Sequence, residues 1–318
     1  MQNQAELPIV IEQQGAVGLA TLNRPAALNA LNAPILEGLK GALLAWREYP
    51  SVSCIVLQGA GERGFCAGGD LKHFHAIGQA YKKGEVGLDA PVDFFRLEYG
   101  LNHLLYHYPK PIVALAQGIT MGGGYGLAGN ANIRVAFEDT QFAMPESKIG
   151  FFPDVGAVAH LAKAPAHIGR YLAMSGNSLD GASMTLAGLA DHYVQKSSAN
   201  NILADIVKAQ PQDRAAVEAV VKDHALTLSE TKEFENLKHF CAAHFGFSDA
   251  KTILESLVAS NDSMAASVLA DIRARSPLSV LVALGHYNRA VEAGDFDSVI
   301  ERDLQLCAHH IRGHDLYE

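Results

Sequence analysis

The sequence predicts an α/β fold followed by a helical C-terminal region. Short apolar or β-branched runs alternate with helical stretches and glycine turns as far as about residue 195. Beyond Gln195-Lys196-Ser197-Ser198 the strand signals nearly vanish and amphipathic segments take over. Hydrophobic residues make up 49% of the 318 and charged residues 19%, the proportions of a globular protein with ample core. The expected division is therefore a core over residues 1–196 and a helical region over residues 197–318.

In chain order, the strand runs are Gly18–Leu22, Ser53–Leu57, Pro111–Ala116 and Ile133–Phe137. Cys54-Ile55-Val56-Leu57 leads through the loop Gln58 to Arg63 into Gly64-Phe65-Cys66-Ala67-Gly68-Gly69-Asp70, with a helix expected from near Asp70-Leu71-Lys72. Tyr81–Ala90, polar and glycine-containing, reads as a surface connection or a gate before a helix carrying Glu98. Pro111-Ile112-Val113-Ala114-Leu115-Ala116 runs into Gly118-Ile119-Thr120-Met121-Gly122-Gly123-Gly124, and a helix of small residues is expected over Tyr125–Asn130. Later helices are expected over Asn200–Ala209, Gln212–His224, Ser229–Phe240, Ala250–Ala259 and Ser263–Arg275. Ser276-Pro277 opens another, which Gly294 stops.

The segment Phe142-Ala143-Met144-Pro145-Glu146-Ser147-Lys148-Ile149-Gly150-Phe151-Phe152-Pro153-Asp154-Val155-Gly156 sets two carboxylates eight residues apart in an apolar run. Lost hydration raises the pKa of such an acid and makes it a better base or nucleophile near neutral pH. Alone, the pair reads as a helix cap and a turn. The two upstream glycine turns change this, because each ends a strand and opens a helix. Unpaired backbone N–H groups at such turns can donate to one oxyanion. Gly124-Tyr125-Gly126-Leu127-Ala128-Gly129 also satisfies G-x-G-x-x-G, the dinucleotide-binding turn. That alternative leaves the Cys66–Asp70 turn and Asp154 without roles, and it ranks below an acyl site.

The net charge of −9 argues against nonspecific binding to nucleic acid or anionic membrane. No run reaches the ~18 apolar residues needed to span a bilayer. Met1-Gln2-Asn3-Gln4-Ala5-Glu6 has no basic region and no apolar signal core, so a cytoplasmic location is the default expectation. The four cysteines, Cys54, Cys66, Cys241 and Cys307, are widely spaced and fit a reducing compartment without disulfides. Cys66 adjoins the first glycine turn but reads as a small packing residue, because no base is placed for it. His73 with His75, and His309-His310 with His314, read as surface or packing histidines, so no metal is expected.

Together these motifs resemble the crotonase (enoyl-CoA hydratase/isomerase) superfamily, and within it the 3-hydroxyisobutyryl-CoA hydrolase branch. The resemblance runs from about Ile9 to Val194 and continues more loosely beyond. It includes Thr21-Leu22-Asn23-Arg24-Pro25 and Leu28-Asn29-Ala30-Leu31-Asn32, similar to the family's first strand, turn and helix. It implies a crotonase-like spiral of ββα units with the helical C-terminal region packed against it or against a neighbouring subunit. It implies an acyl-CoA substrate, with coenzyme A as part of that substrate and no other cofactor. The N–H groups of Gly69 and Gly123 would form the oxyanion hole, Glu146 and Asp154 the catalytic pair. Glu98 and Ala67 would contact substrate, while Arg24 and Lys72, which adjoin the turns, are candidates for the CoA anion. Hydratases generally carry a second Glu where this chain has Gly126, which argues against water addition; an enoyl-CoA hydratase or a dienoyl-CoA isomerase remains the alternative. The chain stops at His314-Asp315-Leu316-Tyr317-Glu318, where the hydrolase branch usually continues, so a shorter member or a truncated chain is expected. Oligomeric state stays open, trimers being common in the superfamily.

Overall fold

The computed structural model describes residues 7–317; the N-terminal six residues, on which the lack of a leader was read, lie outside them. The chain opens with the antiparallel pair β1 (Ile9–Gln14) and β2 (Val17–Leu22), then α1 (Ala33–Glu48), capped by Asn32, whose side chain accepts from Ile35 N–H. Next come β3 (Cys54–Gly59), β4 (Gly64–Cys66), α2 (Leu71–Lys82) and α3 (Asp89–Tyr106). The second repeat is β5 (Ile112–Ala116), β6 (Ile119–Met121) and α4 (Gly123–Gly129). The third is β7 (Ile133–Phe137), β8 (Gln141–Ala143), α5 (Ala157–Leu161) and α6 (Ile168–Ser175). β9 (Ser178–Asp180), α7 (Gly181–Leu186) and β10 (His192–Val194) finish the strand-bearing part.

Each repeat sends its first strand to one sheet and its second to another. The six-stranded sheet has the order β1-β2-β3-β5-β7-β10 and the four-stranded one β4-β6-β8-β9. Every pair in the large sheet after β1·β2 is parallel, as crossover connections require. This is the ββα spiral of the crotonase fold. Leu36, Leu39 and Leu43 of α1 pack on Ile55, Leu57 and Ile112 of the large sheet.

The C-terminal part is helical: α8 (Ala199–Ala209), α9 (Arg214–Asp223), α10 (Lys232–His244), α11 (Ala250–Ala259), α12 (Ser263–Arg273), α13 (Pro277–Ala293) and α14 (Phe296–Arg312). These helices do not close a separate core. Ile202, Ile206, Val217 and Val221 cover the other face of the large sheet, against Val17, Val56 and Val113. Tyr287, Phe296 and Val299 share a cluster with Phe152, Val155 and Ala157.

Several expected elements shift. Cys66 and Gly64 lie in a strand rather than a turn, and Ile119–Met121 is a strand inside the second glycine cluster. The connection expected over Tyr81–Ala90 shrinks to residues 83–88, since α2 and α3 each extend into it. The small-residue helix starts two residues early, at Gly123, and α14 is a helix the sequence reading did not anticipate.

The packing yields a paired stability prediction. A Cβ on Gly124 would collide with the Cys66 carbonyl oxygen, whereas Gly285, exposed within α13, has open space around it. Gly124→Ala should lose about 1–3 kcal/mol in denaturant unfolding, and Gly285→Ala should gain about 0.5–1 kcal/mol. A neutral Gly124→Ala would mean that these two turns are not in close contact.

Candidate active site

The two glycine turns meet. Gly68 adopts φ +103°, a conformation that L side chains rarely take, and a Cβ there would stand 3.1 Å from Met121 O and 3.4 Å from Gly123 N. Gly68 O accepts from Leu31 N–H and Asp70 N–H donates to Leu31 O, each at 2.8 Å. In extended backbone the groups of Gly69 must then point the other way, away from Leu31. Gly122, at φ +52°, donates to Ala143 O at 3.1 Å and caps α4. Gly123 is therefore the first helical residue, and its N–H has no intrahelical acceptor. Among the described residues neither the Gly69 nor the Gly123 N–H has a hydrogen-bond acceptor. Two free donors lie side by side.

Both glycines line a cavity of about 270 Å³ with Ala67, Glu98, Glu146 and Asp154. Phe74, Phe94, Phe95 and Phe151 give the rest of its wall an aromatic side, and Asp70, Lys148 and Ile149 also line it. Glu146 opens a short 3-10 turn after Pro145, which aims it inward, and a Cβ on Gly122 would stand 2.8 Å from its Oε1. Glu98 comes from the middle of α3, and its Oε1 blocks the Cβ position of Gly123. The three acids are 3%, 7% and 4% exposed for Glu98, Glu146 and Asp154, so all lose most of their hydration.

Burial raises the Glu146 pKa well above the usual carboxylate range, and the neighbouring Asp154 charge adds to it, as do Glu98 and Asp303. Glu98 is raised by burial and then by Asp154. Asp154 is pushed up to about 8 by burial and by Asp303, partly offset by the Tyr99 hydroxyl, which donates to its Oδ2 at 2.7 Å. Among the described residues Glu98 Oε1 and Glu146 Oε2 are buried without a hydrogen-bond partner. Orphaned acids in a buried pocket beside two free amides are expensive for a fold and useful for chemistry. One protonated carboxyl can donate while an ionised neighbour accepts.

The remaining predicted residues separate from this group. Arg24 does not line the cavity: its guanidinium donates to Asp70 Oδ2 at 2.8 Å and to Ala30 O at 2.6 Å, tying the first turn to the start of α2. Lys72 is exposed on α2 and also lies off the cavity wall. Among the described residues Lys148 is the one cationic side chain on that wall. Cys66 is fully buried, and burial pushes its thiol up to about 12, which disfavours the thiolate a nucleophile needs. The glycines of the G-x-G-x-x-G run are spent on packing: a Cβ on Gly126 would stand 2.7 Å from Val155, and one on Gly129 would stand 2.7 Å from the Tyr125 ring.

Three contributors escaped the sequence reading. Tyr99 follows Glu98 and reaches Asp154 from the same helix. Asp303, on α14, accepts from Gly156 N–H at 2.7 Å and pairs with His286 Nε2 at 2.6 Å, with both side chains fully buried. This anchors the turn after Asp154, where Val155 and Gly156 both have positive φ. The signal was present: Phe296, Val299, Ile300, Asp303, Cys307 and Ile311 form one buried stripe with helical spacing, and an acid sits in it.

Asp154 gives a pH prediction. Folded, it holds its proton to about pH 8, whereas unfolded it releases it near pH ~4. Folding takes up a proton in that window, so stability is greatest at its acid end and falls as pH rises through it. Asp154→Asn should therefore be more stable than the parent at about pH 8, and the two should converge near pH 4, in denaturant melts at each pH. Parallel curves for the two proteins would remove Asp154 from the set of strained acids.

Comparisons with known proteins bear on the family and the fold. The family model described as enoyl-CoA hydratase/isomerase matches residues 17–318. The 3-hydroxyisobutyryl-CoA hydrolase, mitochondrial, of Xenopus tropicalis is 34% identical over 313 residues, covering 97% of this chain and 80% of that one. Small ribosomal subunit protein mS47 of Neurospora crassa is 35% identical over 315 residues, covering 93% of this chain and 61% of that one. A crystal structure titled carnitinyl-CoA dehydratase from Mycobacterium thermoresistibile superposes with TM-score 0.90 at 31% identity, covering 98% of this chain and 88% of that one. A family match that spans nearly the whole chain thus meets a ββα spiral whose two glycine turns face buried acids, and the chain belongs to the enoyl-CoA hydratase/isomerase (crotonase) family.

Proposed function

We propose that this protein hydrolyses a short 3-hydroxyacyl-CoA thioester to the free acid and CoA. The observation that carries this reading is one cavity lined by Gly69 and Gly123, whose N–H groups have no acceptor among the described residues, and by Glu98 and Glu146, each with an unpartnered carboxyl oxygen. The thioester oxygen would sit between the two amides, each preorganised donor being worth about 3 kcal/mol toward a tetrahedral transition state. Glu146 then either attacks the carbonyl carbon, expelling CoA thiolate and leaving a mixed anhydride for water to open, or deprotonates an attacking water. Asp154 and Glu98 would hold the 3-hydroxyl, Asp154 oriented by Tyr99. The cavity of about 270 Å³ suits a short acyl group. Lys148 replaces Arg24 and Lys72 as the candidate for a CoA phosphate, because it stands on the cavity wall. 3-Hydroxyisobutyryl-CoA, an intermediate of valine breakdown, is the acyl-CoA named by the hydrolase relatives and the first substrate to test. Those relatives are named as mitochondrial, which gives the default cytoplasmic location no support. Among the described residues no helix is long and apolar enough to cross a membrane.

Hydratase chemistry is the second reading, favoured by the titles of the similar solved structures. Against it, the Cβ direction of Gly126 is filled by Val155 at 2.7 Å and by Asn102 Nδ2 at 3.0 Å, leaving no space for a second Glu there. Against a role without catalysis, three buried acids that burden the fold remain in place beside free donors.

Thiol release across a panel of acyl-CoAs separates these readings. Glu146→Gln should abolish release, by about 10³-fold or more, while CoA-thioester binding persists. Asp154→Asn should lose more rate on 3-hydroxyacyl substrates than on unsubstituted ones. Near-normal turnover by Glu146→Gln, or hydration of enoyl-CoA without thiol release, would overturn the hydrolase assignment.

A further inference from the structure

We propose that His103, His107 and Asp297 form a site for a zinc-class divalent cation that clamps α3 to α14. The two histidines lie one helical turn apart at the C-terminal end of α3, with ring centroids 4.6 Å apart. Asp297 stands in the first turn of α14, and its Oδ1 is 3.3 Å from His103 Nε2 and 2.6 Å from His107 Nε2. All three ligand atoms lie within 4.8 Å of one another. Around a tetrahedral ion with bonds of about 2.1 Å, neighbouring ligand atoms are about 3.4 Å apart. The His103–Asp297 pair already has that spacing, and His107 must withdraw by less than ~1 Å from the hydrogen bond it now makes.

The scaffold beneath is fixed. Tyr106 and Phe296, the chain neighbours of His107 and Asp297, stack with centroids 3.9 Å apart and planes 3° from parallel. This rigid stack holds the ligand-bearing ends of α3 and α14 together before any ion arrives. The ligand side chains are about half exposed, at 50%, 45% and 60%, so an ion in solution can reach them. Two imidazoles and one carboxylate suit zinc, cobalt or nickel, whereas magnesium and calcium favour oxygen ligands. Three protein ligands leave the fourth position to water.

The clamp would act at a distance on the cavity. α3 carries Glu98 and Tyr99, and α14 carries Asp303, which holds the turn after Asp154. An ion bridging the two helices would fix the spacing between these supports. Neither the histidines nor Asp297 line the cavity, so the site is separate from the acyl-CoA chemistry.

The test uses the full-length, chelator-treated protein. Zinc titration by calorimetry should give one equivalent bound through this site, and the melting temperature should rise by roughly 4 °C at a hundredfold excess over Kd. Cobalt(II) should show the visible d–d bands of a tetrahedral site, and magnesium should change nothing. His103→Ala/His107→Ala should lose the bands and the shift, and the near-isosteric Asp297→Asn should weaken zinc by about tenfold or more, with circular dichroism unchanged in both. Equal zinc binding by the parent and the double variant would assign the ion to other histidines and overturn the proposal. Failure of the parent to bind zinc at millimolar concentration would also overturn it.

Discussion

Backbone must touch backbone between the Gly68-Gly69 turn and the Gly122-Gly123-Gly124 turn, and the candidate site depends on that contact. A side chain at Gly124 would strike the Cys66 carbonyl, and one at Gly123 would strike the Glu98 carboxyl. The spiral makes the contact inevitable. β4 and β6 are neighbours in the small sheet, so the turns that leave their C-terminal ends emerge side by side. Ligand sites at the C-terminal ends of parallel strands are a general outcome of such topology. Here the outcome is two backbone donors with no acceptor among the described residues.

The acids are then supplied from three directions. α3 brings Glu98 and Tyr99, the turn after β8 brings Glu146, and the segment before α5 brings Asp154. The C-terminal helices seal the far side, with Asp303 and His286 buried behind the Asp154 turn. Burial of these carboxyls opposes folding, and the shared hydrophobic clusters on either side outweigh that cost. A protein that retains unpartnered buried acids is poised to give them a partner.

Much of this could be read from residue order alone. Glycine clusters after apolar strands have few uses other than close backbone approach, so Gly69 and Gly123 were legible, as were Glu146 and Asp154 in their apolar run. Arg24 and Lys72 lie off the cavity wall, because adjacency in sequence says nothing about reach. The Arg24 side chain is consumed by Asp70, the residue that caps α2. β4 and β6, at three residues each, are too short to show alternation and read as turns. α14 went unnoticed because Asp303 and His310 interrupt its apolar stripe, and Asp303 does so for the sake of the site. Partners such as Tyr99 and Lys148 required coordinates, since nothing in the local sequence fixes where they point.

The central claim is that the amides of Gly69 and Gly123 hold one thioester oxygen. Infrared difference spectroscopy of a carbonyl-labelled acyl-CoA bound to the inactive Glu146→Gln protein measures this directly. Two converging donors predict a carbonyl stretch shifted to lower frequency than that of the same thioester in water. A bound thioester whose carbonyl stretch stays at its aqueous position would contradict it.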